Sequence, residues 1–150
     1  MSNPRILSRF RAEFSRASIS SPIRDSEARN LPYLQAIIKE GLRYWPPVVG
    51  LMAKEVPPAG DVINGMFIPG GTSIGYDAFG IFRDKEIFGE DADVFRPERW
   101  LKDSAEKIKE LEQTLDLVFS FGKYQCLGRN VALMELNKVF VEVRNRVDFL

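Results

Sequence analysis

Hydrophobic positions fall at helical spacing in three stretches of the chain. Ile6, Leu7, Phe10 and Phe14 recur three and four residues apart. Asn3 and Pro4 precede them, a side chain suited to capping and a residue suited to a first helical turn. The pattern predicts an amphipathic helix over residues 4–17. The second stretch, "LPYLQAIIKEGLRYW" from Leu31 to Trp45, carries Leu34, Ile37, Ile38 and Leu42 on one stripe, and Pro46 and Pro47 stop it. The third, "NVALMELNKVFVEVRNRV" from Asn130 to Val147, places Ala132, Leu136, Val139, Phe140 and Val143 on its expected buried stripe. Between the first two helices, "SISSPIRDSEARN" is polar and reads as a loop with one helical turn. "SAEKIKELEQTL" reads as a short polar helix.

The middle of the chain changes period. Asn64-Gly65 lies between Val62-Ile63 and Met66-Phe67-Ile68. Asn-Gly is the preferred turn of a two-residue hairpin, so a hairpin is predicted there. Pro69-Gly70-Gly71 gives a second turn before a short strand from Thr72 to Tyr76. "FRDKEIFGEDADVFRPERW" then mixes charges and aromatics without periodicity. It reads as a long irregular segment pinned by Phe88, Phe95 and Trp100, and such a segment is usually functional or held against something specific. No repeats or domain boundary interrupt the 150 residues, which suit a single domain, mainly α with a small β-sheet.

Composition narrows the chemistry. Lys plus Arg equals 21 and Asp plus Glu equals 21, so there is no electrostatic reason to expect nucleic acid as a partner. The chain has no histidine and one cysteine. That excludes an internal disulfide, multi-cysteine zinc sites, His-ligated metals and Ser-His-Asp or Cys-His catalysis. No apolar run approaches the roughly 18 residues that read as a membrane span, and no apolar signal core follows Met1. The chain by itself is expected to be soluble and intracellular.

The lone cysteine, Cys126, lies in "FSFGKYQCLG". A lone cysteine is most simply a buried small hydrophobe. Here Gly122 and Gly128 remove side chains on either side, which suits a backbone pressed close to something flat or bulky. The last helix begins just after it, where unpaired amides and the helix dipole favour a thiolate. Phe119 and Phe121 are expected to form an apolar wall. These features together suit an iron-ligating thiolate. A redox or nucleophilic cysteine uses similar physics but wants a nearby base, and no histidine exists to serve. In "EGLR", Glu40 and Arg43 are three apart on a helix, opposite the apolar stripe, where a solvated ion pair is worth roughly 0.2–0.5 kcal/mol. Arg99 of "FRPERW" is a third charge that completes a triad.

"KEGLR", "FRPERW" and "FSFGKYQCLG", in this order and at these distances, resemble the cytochrome P450 superfamily. The longer stretches "LPYLQAIIKEGLRYWPP" and "RDKEIFGEDADVFRPERWL" look like its fungal members, in particular the pisatin-demethylase-like group. The resemblance runs over essentially the whole chain and corresponds to the C-terminal part of a complete member. It implies that residues 1–150 are a partial P450 domain, a C-terminal fragment of that fold. The membrane anchor, the substrate-gating region, the long central helix with its acid–alcohol pair and the terminal strands are expected to be missing.

The residue roles follow from the same resemblance. The family's haem loop reads F-x-x-G-x-R-x-C-x-G, matched by Phe119, Gly122, Cys126 and Gly128. Cys126 is then the expected axial thiolate of haem iron. Tyr124 stands at the arginine position that pairs with a haem propionate, with Lys123 beside it as a source of charge. Lys54 falls near a basic propionate contact. Glu40, Arg43 and Arg99 are expected to form a buried charge triad. Val48, Val49, Leu51 and Met52 fall in a stretch that lines the substrate pocket, and Phe82 stands where many relatives have histidine. The implied activity is a haem-thiolate monooxygenase that inserts one oxygen atom from dioxygen into a small organic substrate, in fungal secondary metabolism or detoxification. The implied electron donor is NADPH-cytochrome reductase, and the implied location is the endoplasmic reticulum membrane, through the missing anchor. Two alternatives are a truncated, non-catalytic P450 remnant and a non-enzymatic helical interaction module with a structural cysteine.

Overall fold

The computed structural model describes residues 3–146, with side chains described as far as Val143. Val147, the last residue of the predicted third helix, lies outside the described residues. Helix α1 spans Pro4–Arg16. The Asn3 side chain accepts from the Ile6 amide at 3.3 Å, which satisfies one of the N–H groups left free at the helix start, where Pro4 has none to satisfy. A one-turn helix α2, Asp25–Ala28, is the helical turn expected within the first loop, and α3 covers Pro32–Tyr44. Ile6, Phe10 and Phe14 of α1 meet Ile23, Ala28, Leu31, Leu34 and Ile38 in one buried cluster, which Val141 of the last helix closes.

The strands form two separate ladders rather than one sheet. Strands β2 (Asp61–Ile63) and β3 (Met66–Ile68) make the predicted Asn64-Gly65 hairpin. Both turn residues have positive φ, +51° and +79°, as this turn demands. The strand expected at Thr72–Tyr76 is shorter. As β4 (Ser73–Ile74) it pairs antiparallel with β1 (Lys54–Glu55), with Lys54 opposite Ile74. This pairing anchors Lys54 beside Ile74, across the hairpin that separates them.

A single-turn helix α4 (Ala78–Ile81) leads into the irregular segment, and two more, α5 (Lys85–Phe88) and α6 (Arg99–Lys102), form inside it and at its end. Asp77 and Asp84 cap the first two. Its pins hold unevenly. Phe88 and Trp100 are buried beside Phe82, Leu111, Leu115, Val118 and Phe119 in a second cluster, whereas Phe95 is half-buried and joins the first. Helix α7 (Ala105–Leu115) is less polar than its sequence suggests, because Leu111 and Leu115 are its buried face. It runs into a 3₁₀ turn at Asp116–Phe119.

The last helix, α8 (Arg129–Arg146), corrects the expected stripe. Val139, Phe140 and Val143 are exposed, while Val141 and Asn137 are buried. The helix is apolar on more than one side, so periodicity alone does not select the inward face. Asn137 is inward because it is bonded. It donates to Asp25 at 2.7 Å and accepts from Gln35 at 2.9 Å, joining α8 to α2 and α3. Among the described residues, no helix is long and apolar enough to cross a membrane.

Candidate haem-loop site and its buried charge network

Glu40 is fully buried on the polar side of α3. Each of its oxygens is occupied. Arg43 donates from Nε and Nη2 at 2.9 and 2.8 Å. Arg99 Nε reaches both oxygens at 3.2 Å. The Arg96 backbone amide and the Trp100 indole complete the shell at 2.7 and 3.0 Å. The solvated ion pair is thus excluded, and the predicted triad is in place. Both arginines turn their remaining N–H groups onto carbonyls of the irregular segment. Arg43 Nη1 bonds Phe82 and Ala92 at 2.6 and 2.7 Å. Arg99 Nη1 bonds Phe88 at 2.6 Å, and its Nη2 bonds Asp91 at 3.0 Å. A stretch with little secondary structure has buried carbonyls to satisfy, and these guanidinium groups supply the donors. Phe82, at 0% exposure, contributes its carbonyl here and no titratable group.

Two partners of this network are not evident from the motifs. Asp91 joins Arg99 and Arg96 as a fourth charged neighbour. Glu98, adjacent to Arg99, faces the other way into a second cluster. It accepts from Arg9 at 2.6 Å, Arg5 at 3.4 Å and the Tyr33 hydroxyl at 3.1 Å. The only sequence signal for it was the acid beside the arginine in "PERW", which fixes the two charges on different sides of one short helix.

These groups titrate in ways that matter for stability. For Asp91, burial pushes the carboxyl up, but bonds and charge from Arg96 and Arg99 outweigh it and hold it below the usual value. For Glu98, burial likewise opposes, and its hydrogen bonds with the Arg5 and Arg9 charges outweigh it. Burial, then the Glu98 charge, pushes the Tyr33 phenol up to about 12. A carboxyl depressed in the folded state contributes stability above its unfolded pKa, and loses it as pH falls through the folded one. A phenol raised in the folded state contributes stability that is lost as pH rises from its unfolded value. Urea-unfolding midpoints are therefore expected to be flat near neutrality, to fall below about pH 4, and to fall again between about pH 10 and 12. Glu98→Gln should flatten part of the acid limb, and an unchanged profile in that variant would contradict the assignment.

The cysteine loop follows the second cluster. Phe119 is buried at its base, but Phe121 is 69% exposed, so the expected wall has one phenylalanine and not two. Cys126 is exposed, which overturns the buried-hydrophobe reading. Its amide donates to the Phe119 carbonyl at 2.8 Å, tying the loop back to its own start. Cys126 precedes α8 by three residues rather than opening it, and the Gly128 carbonyl takes the bond from Ala132 at 2.9 Å. Gly122 has φ +62°, a backbone shape that favours glycine. A Cβ on Gly128 would lie 3.8 Å from Cys126 Sγ, in ordinary contact with it.

The fold brings Lys54 to the same loop. Its Nζ stands 4.8 Å from the centre of the Tyr124 ring, and Lys123 Nζ stands 4.9 Å from it. Val48, Val49 and Leu51 are exposed ahead of β1, with Met52 half-buried. The loop thus offers a soft thiol, uncovered apolar side chains at Phe121 and Leu127, and two ammonium groups around a phenol. That donor set fits haem: sulfur for the iron, apolar surface for the ring, cations for the carboxylates.

Comparison with known proteins decides the family. The cytochrome P450 family model matches residues 1–146. The chain belongs to the cytochrome P450 family. It is 50% identical over 127 residues to the cytochrome P450 monooxygenase ABA1 of Pyricularia oryzae, covering 85% of this chain and 25% of that protein. It is 42% identical over 152 residues to the cytochrome P450 monooxygenase aba1 of Botryotinia fuckeliana, covering 99% and 30%. With pisatin demethylase of Fusarium vanettenii it shares 38% over 146 residues, covering 97% and 28%. The chain therefore spans about a quarter to a third of the length of these curated P450 relatives. The P450 family implies haem, a substrate and a redox partner.

Proposed function

We propose that this chain is the C-terminal, haem-loop part of a P450 domain, residues 1–150, in a fungal haem-thiolate monooxygenase. The observation that carries the reading is the exposed Cys126, held by its own amide to Phe119, on a glycine-flanked loop beside a buried Glu40–Arg43–Arg99 network. Cys126 Sγ would hold the iron. Gly122 and Gly128 keep the loop free of side chains that would hold a flat ring away, and Phe119 backs it with apolar surface. Lys54, Lys123 and Tyr124 would hold the porphyrin carboxylates in place of an arginine. Their ammonium groups offer charge without the rigid bidentate fork. Haem bound through a thiolate supplies reductive activation of dioxygen, for insertion of one oxygen atom into an organic substrate.

Val48, Val49, Leu51 and Met52 are the segment of this chain proposed to meet a small organic substrate. The partners of this reading are that substrate and an NADPH-cytochrome reductase, at the endoplasmic reticulum membrane. Fungal secondary metabolism or detoxification is the setting that the names of the relatives favour. The test is haemin titration of the chain, and of a chimera in which it replaces the matching segment of the Botryotinia fuckeliana relative. Stoichiometric binding with a Soret band is expected from the chimera. A chimera that folds and leaves haemin unshifted would sink the reading.

A further inference from the structure

Asp116 and Arg129 bracket the cysteine loop, and both are placed against local preference. Asp116 caps the C-terminus of α7, where the helix dipole disfavours an anion. Arg129 opens α8, where it disfavours a cation. The two nevertheless meet, Arg129 Nη2 donating to Asp116 at 2.7 Å. The Arg129 guanidinium also lies 5.6 Å from the centre of the Phe119 ring. Its backbone amide donates to the Cys126 carbonyl at 3.3 Å, while the Cys126 amide donates to Phe119. The main chain of Cys126 is thus held on its N–H side by Phe119 and on its C=O side by Arg129, and those two residues touch each other.

A second observation lies at the base of the same loop. Ser120 is buried, with φ +56° and ψ −173°. That region is almost confined to glycine and strains a residue that carries a side chain. Such a backbone persists only where its surroundings over-determine it. Charges set against two helix dipoles, closing a loop that starts on a strained residue, mark a local conflict kept for the loop's sake.

We infer that the Asp116–Arg129 pair is a positioning strap that fixes the Cys126 loop, acting through Phe119 and the backbone of Cys126. The strap itself stands on this geometry. Its consequence for haem rests on the function proposed above. The strap is read first without haem, by amide hydrogen exchange in the 150-residue chain. Arg129→Gln and Asp116→Asn each remove a charge that disfavours its own helix end, so on helix-dipole grounds alone neither variant should speed exchange in α7, α8 or the loop between them. The strap predicts roughly twofold to fivefold faster exchange at Cys126 and its loop neighbours, with α3 amides unchanged. The swap Asp116→Arg with Arg129→Asp restores the pair in the orientation both dipoles favour, and should restore protection.

Unchanged loop exchange in the single variants overturns the inference. So does equal acceleration in α3, and so does failure of the swap to restore protection. In the haem-loaded chimera, the single variants should lower the fraction with a red-shifted ferrous–CO band, and the swap should recover it. A band indifferent to the strap overturns its link to the haem site. A band that survives Cys126→Ala defeats the ligand reading alone, because the exchange result does not depend on haem.

Discussion

Glu40→Ala is expected to cost about 3–5 kcal/mol of folding stability, because it leaves Arg43 and Arg99 buried without their shared carboxylate. All three side chains are within 1% of full burial. An exposed ion pair is worth at most about 1 kcal/mol, so the size of the loss separates a buried network from a solvated pair. The arginines also bond carbonyls from Phe82 to Val94, so their displacement should loosen that whole stretch rather than one contact. Urea unfolding measures the loss, and hydrogen exchange across residues 82–94 locates it. Arg99→Ala should reproduce both effects. A loss below about 1 kcal/mol for Glu40→Ala would mean that the network is not holding the segment.

This network also shows where sequence reading reaches and where it stops. Glu40, Arg43 and Arg99 are legible from motifs, and Glu40 and Arg99 meet over 59 residues of separation. Trp100 reads in the sequence as an apolar pin alone, yet its indole N–H donates to Glu40. Nothing in a one-dimensional pattern tells an aromatic used as a ring from one used as a donor. The single-turn helices at Ala78–Ile81 and Lys85–Phe88 carried a readable signal in Asp77 and Asp84, whose side chains cap them. Aperiodic charges hid that signal, because one turn is too short to show a helical period.

The helices divide in the same way. Helix α1 has one apolar side, and its buried residues are the predicted Ile6, Phe10 and Phe14. Helix α3, by contrast, is covered on both sides: Leu34 and Ile38 of its predicted stripe are buried, Ile37 and Leu42 are half-buried, and Tyr33, Ala36, Glu40 and Arg43 are buried as well. Helix α8 has apolar residues nearly all round, and its inward face is set by a bonded Asn137 that hydrophobicity would place outside. The approach of Lys54 to Tyr124 depends on β1 pairing with β4 across the hairpin, a register that the residues of either strand do not encode alone.

Cys126→Ala, made in the chimera with the Botryotinia fuckeliana relative, is expected to abolish the red-shifted ferrous–CO Soret band completely. The chain has no histidine and no second cysteine, so within this segment no side chain of comparable affinity can take its place. The residue is exposed, and methyl for thiol at an exposed position removes little packing. Folding should therefore survive, with a urea midpoint close to that of the parent chimera. This separates loss of the ligand from loss of the fold, a separation that the Glu40 variant does not offer. Haem content should fall as well, because the cations around Tyr124 and the apolar loop would hold the ring without a bond to its iron. Gly128→Ala, whose Cβ would make only an ordinary 3.8 Å contact with the Cys126 sulfur, should leave the band in place. A band that persists at full intensity in Cys126→Ala would show that another residue holds the iron, and would remove the central assignment of this site.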